Sequence, residues 1–143
     1  MTGTTRMLKP ARLRLDSLGV AHIAFIVTLV LHDTDHLRQA RGIRGTPSVV
    51  FWAGTALALV AFASFALTMT RHPRAAAVAT GVGFVAAFGA ASSHLAPHWS
   101  ALSDPYADLS LDAWSWVVMV AEVAAGFVLG VVGLRTLRQD ARL

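Results

Sequence analysis

From Val49 to Thr70 the chain runs through twenty-two residues without a charge. That length fits the hydrocarbon core of a bilayer, about 30 Å thick and spanned by roughly 20 helical residues rising 1.5 Å each. Three more stretches are similarly apolar: Ser17 to Leu31 continuing into a polar end near 38, Ala75 to about Ala96, and Ala113 to Leu134, interrupted by Glu122. Inside lipid every backbone N–H and C=O must be satisfied within its own segment or a closed barrel, so long apolar runs of this kind are predicted to be α-helices. The expected fold class is therefore all-α, a polytopic membrane protein built as a four-transmembrane-helix bundle. Its spans are expected at about 17–38, 49–70, 75–96 and 113–134, with polar tails at 1–16 and 135–143. Composition agrees: residues of the AVILMFWYC set make up 55% and DEKR only 14%, against about 25% charged in ordinary globular chains.

The basic residues set the expected orientation. The N-terminal tail holds Arg6, Lys9, Arg12 and Arg14, the turn after the second span holds Arg71 and Arg74, and the C-terminal tail holds Arg135, Arg138 and Arg142. The other face has only Arg38, Arg41 and Arg44. The positive-inside rule then places both termini in the cytoplasm and the ends of the first and third spans outside. The arginines are scattered among short loops and form no stripe, so nucleic acid is not expected as a partner. Arginine in place of lysine, with abundant Ala, Gly and Val, fits a bacterial cell membrane. With no cysteine in the chain, neither disulfides nor thiolate ligands are available.

Small residues recur at four-residue spacing in Gly54-x3-Ala58, Gly83-x3-Ala87-x3-Ala91 and Gly126-x3-Gly130. Such positions let helix backbones approach closely in lipid, where apolar burial gives no drive to associate. They are expected to pack the bundle and, where a face is left over, to meet a membrane partner or a second copy.

The chemistry is concentrated at two places. Ser17 to Leu31 covers only about 22 Å as a helix, so His32-Asp33-Thr34-Asp35-His36 belongs to the outermost turns of the same span. Ionisable groups at that depth are costly unless paired or bound. His32 and His36, four residues apart, share a helix face, with Asp33 and Asp35 flanking it. His94 and His98 repeat the spacing at the outer end of the third span, although Pro97 threatens to turn His98 away. Four imidazoles with carboxylates nearby form a donor set for a transition metal, zinc or copper. The alternative is a hydrated polar rim in which these groups bond one another.

Asp104, Asp108 and Asp112 form an acidic series that would lie on one face of a short interfacial helix, or else on a solvated loop. Glu122, ten residues into the fourth span, and His22, in the first, are expected to be hydrogen-bonded inside the bundle or to form a polar path through it. The functional expectation is metal binding or handling on the extracytoplasmic side. Other readings are a metal-dependent hydrolase acting on a lipid-linked substrate, a b-type haem protein, and an accessory subunit of a larger membrane complex. A lipid-open pocket between the first and third helices would favour the hydrolase.

Overall fold

A computed structural model describes residues 16–39 and 48–140. The basic N-terminal tail, the loop with Arg41, Arg44 and Pro47, and Arg142 lie outside the described residues. The described residues contain no strand and four long helices: α1 (Ser17–Arg38), α2 (Val49–Met69), α3 (Ala75–His94) and α4 (Ala113–Asp140). All four are long and apolar enough to cross a membrane. The protein is thus an all-helical membrane protein.

Local chemistry sets the ends. The Asp16 carboxylate accepts from the Gly19 N–H at 2.8 Å and starts α1, and the Ser48 hydroxyl accepts from the Phe51 N–H at 3.2 Å and starts α2. These caps satisfy N–H groups that have no partner within the first turn. α2 closes with the Arg71 N–H donating to the Thr68 carbonyl and the His72 N–H to the Leu67 carbonyl. Arg71 takes the left-handed conformation, φ 55°, that this closure requires. α3 stops at His94, two residues before the expected end of its span, because Pro97 ahead of it cannot donate and restricts the residue before it. α4 continues helically beyond 134 to Asp140 and carries Arg135 and Arg138 on its last turns.

Neighbouring helices run antiparallel, and the tightest seam joins α3 to α4. A Cβ on Gly83 would collide with the backbone of Gly130, coming within 2.9 Å of its Cα, and one on Gly126 would sit 3.1 Å from the Gly83 carbonyl oxygen. Backbone meets backbone there, so the small-residue series of the third and fourth helices form this contact. A Cβ on Gly54 would meet nothing within 4 Å, and that residue lies on an exposed face of α2.

The bundle is small inside and large outside. Ala61, Ala79 and Ala86 are fully buried, whereas Leu59, Val85 and Phe88 are more than half exposed. Such a pattern suits a solvent as apolar as the residues facing it. The four tryptophans, Trp52, Trp99, Trp114 and Trp116, all fall at the end of the bundle that carries His32, as expected of an aromatic belt at a membrane interface. α2 buries Ala61, Ser64 and Thr68 but leaves most of its first half exposed, and a cavity of about 460 Å³ opens there between α1, α2 and α3.

Candidate metal centre

Three helices and one loop converge at the His32 end. His32 and His36 lie one turn apart on α1, and His94 is the last residue of α3. Their ring centroids are 4.6 Å (His32–His36), 5.2 Å (His32–His94) and 5.4 Å (His36–His94) apart. One nitrogen from each of the three rings can be chosen so that all lie within 4.8 Å of one another. His32 and His94 are buried and His36 is half-buried.

Two of the rings are oriented from behind. The Glu122 carboxylate of α4 accepts a hydrogen bond from His32 Nδ1. A proton on Nδ1 fixes the His32 tautomer and leaves Nε2 with its single lone pair. His94 Nδ1 donates to the Asp104 carbonyl at 3.0 Å, which makes Nε2 the lone-pair nitrogen of that ring as well. The Asp104 N–H in turn donates to the Ser93 carbonyl at 2.8 Å, so the loop is tied to the end of α3. Imidazoles held through one nitrogen by a carboxylate or carbonyl are the usual arrangement of metal-binding histidines.

The Nε2 atom of His32 is crowded. His36 Nε2 lies 2.9 Å from it and the Tyr106 hydroxyl 2.8 Å from it. One lone pair serves one donor well, and here two polar groups compete for it. Donor atoms around a tetrahedral ion with bonds of about 2.0–2.1 Å are about 3.3 Å apart. The three-histidine group, with one nitrogen from each ring within 4.8 Å of the others, could hold a metal ion.

Other expected site residues fall elsewhere. His98 lies on the exposed loop past the end of α3 and outside the three-histidine group. Asp35 is buried but points to α4: Arg38 Nε donates to it at 2.8 Å, and the Gln39 amide donates to its other oxygen. Arg38 continues to Asp112 at 2.9 Å, and both Arg38 and Gln39 reach the Ser115 hydroxyl, at 3.2 and 2.7 Å. Asp35 is thus occupied in a clip between α1 and α4. Asp33 is exposed from the bundle yet lines the cavity beside His36.

Glu122 and His22 have different partners. Glu122 pairs with His32, whereas His22 bonds Thr68 Oγ1 at 2.9 Å through Nδ1. Ten residues of α1, about 15 Å, separate the two histidines, and Phe25 and Leu29 fill the interval as buried core. The acidic series is no single stripe either. Its only helix is the 3-10 turn Tyr106–Asp108; Asp104 faces the cavity, Asp108 is exposed and Asp112 closes the first turn of α4 by accepting from the Ser115 N–H at 3.0 Å. Ser115, through its N–H and hydroxyl, and Arg38 hold the Asp112 carboxyl below the usual carboxylate range.

Sequence reasoning missed Tyr106 as a site residue. It is the only tyrosine in the chain, it follows Pro105, and it belongs to the loop expected on the same side as the histidines. No family model matches this chain, and no curated protein or solved structure matches it.

Proposed function

We propose that the protein is a membrane-embedded transition-metal-binding protein whose ion is held by His32, His36 and His94. The observation that carries this reading is the convergence of three imidazoles from two helices, with one nitrogen from each within 4.8 Å of the others. Glu122 behind His32 and the Asp104 carbonyl behind His94 support it, since each keeps a lone pair directed away from its own bond. Zinc or copper(II) suits three imidazoles. The surplus of arginines at the opposite end of the bundle favours an extracytoplasmic site, with the role of holding or handing on metal at the cell surface.

The test is elemental analysis of the purified protein together with His36→Ala, whose half-buried position makes it the mildest of the three deletions for folding. Metal in the wild type and its loss in the variant are expected. Equal metal content in the two proteins would defeat the reading.

The cavity supports a second reading. It opens between α1, α2 and α3, with His32, His36 and His94 in its wall and Phe51, Leu57 and Val85 along its apolar side. Three protein ligands leave a fourth position for water, as in zinc hydrolases, and Asp33 lines the same cavity as a base. A lipid-linked ester or amide would then be the substrate class, and zinc-dependent release of fatty acid from an acylated amphiphile would distinguish catalysis from binding alone.

A further inference from the structure

The three imidazoles do not account for the fourth polar group that faces them. The Tyr106 hydroxyl lies 2.8 Å from His32 Nε2 and 3.5 Å from His36 Nε2, while those two nitrogens are 2.9 Å apart. The phenol oxygen is therefore about as close to the two nitrogens as they are to each other, and the three edges bracket the roughly 3.3 Å expected around a tetrahedral ion. Its ring is fully buried, packed 4.6 Å from the His94 ring and 5.5 Å from that of Trp116. Pro105 fixes the backbone on one side, and the Leu109 N–H donates to the Tyr106 carbonyl on the other.

Charge points the same way. Three neutral imidazoles contribute nothing to offset a divalent ion, and a phenolate oxygen would add a directly bound negative charge, which a low-dielectric surrounding favours.

We infer that Tyr106 is the fourth ligand of the centre, completing a donor set of three nitrogens and one phenolate oxygen. This rests on the three-histidine reading and extends it. On binding, the phenol O–H gives its proton to solvent as its oxygen takes the metal, since ligands bind in their deprotonated forms. A tyrosine ligand fills the position that hydrolysis would leave to water, so this inference favours holding or passing metal over catalysis.

Copper(II) is the probe, because a phenolate bound to it absorbs strongly in the visible and imidazole does not. The chain has one tyrosine, so such a band has one source. Full-length protein in detergent, given one equivalent of copper(II), is expected to show the band. Tyr106→Phe, which keeps the ring packing, is expected to lose it entirely while still binding copper about tenfold or more weakly. A wild type that holds stoichiometric copper without the band, or a Tyr106→Phe protein with an unchanged spectrum, would overturn the assignment of Tyr106 and leave the histidines standing. Failure of both proteins to bind copper(II) or zinc would remove the three-histidine reading and this one together. A far-ultraviolet dichroism spectrum of the variant, expected to match the wild type, separates loss of the ligand from loss of the fold.

Discussion

His22 and His32 are both buried on α1, and only His32 belongs to the three-histidine group. The polar and ring contacts of His22 go to α2: Thr68 bonds one nitrogen and the Phe65 ring packs at 5.6 Å. His32 meets α4 through Glu122, the loop through Tyr106, its own helix through His36, and α3 through the His94 ring. A histidine in a membrane bundle becomes a binding candidate when several elements bring polar atoms to it. Burial is the same in both places and decides nothing.

The largest difference should come from metal content. His36→Ala and His94→Ala are expected to lose bound metal, whereas His22→Ala should keep it and show only a change in stability. Measuring metal per chain on all three variants would break the comparison if the His22 variant lost as much as the others. Next is the support behind the ligands. Glu122→Gln is expected to weaken metal affinity by about 10–100-fold, the usual effect of removing an outer partner, while Thr68→Val should leave affinity unchanged and cost about 1 kcal/mol of stability. Competition with a chelator reads the first and thermal unfolding in detergent the second.

The seam that brings α3 and α4 together gives a smaller effect. Gly83→Ala must push the Gly130 backbone away and is expected to destabilise by about 1–3 kcal/mol. Gly54→Ala meets nothing and is expected to stabilise by up to about 1 kcal/mol through helix propensity. Thermal unfolding of the two variants side by side would contradict the packing described if their order were reversed. The smallest effect belongs to Asp112. Its folded-state carboxyl titrates below its unfolded value, so its contribution is present at neutral pH and fades as pH falls through the folded value. Asp112→Asn should therefore show a shallower loss of stability on acidification than the wild type, visible in melting temperatures taken from neutral to acid pH.

The four helices were legible because length and lack of charge in lipid leave the backbone no alternative. His32, His36 and His94 were legible from helical spacing and from the side of the membrane each end should reach. Asp35 was not, because a helical wheel gives the angle of a side chain but does not say which neighbour lies there; α4 lies on that side, and Arg38 and Gln39, both tied to Ser115 of α4, claim the carboxylate. Glu122 was placed by counting along its own span, which gave no hint that its level matched that of His32. Tyr106 lay in a loop, where no periodicity relates a residue to the helices it packs on. His98 was lost for the reason its sequence carries: with Pro97 following, the helix ends at His94, before the turn that would carry His98.

The most direct test of the account is the metal content of the full-length wild-type protein, purified without chelator and equilibrated with zinc and copper(II) in turn. About one ion per chain, retained through desalting and lost in His36→Ala, is the expected result. A wild type that emerges free of both metals, or that binds them no better than His36→Ala, would contradict the central claim.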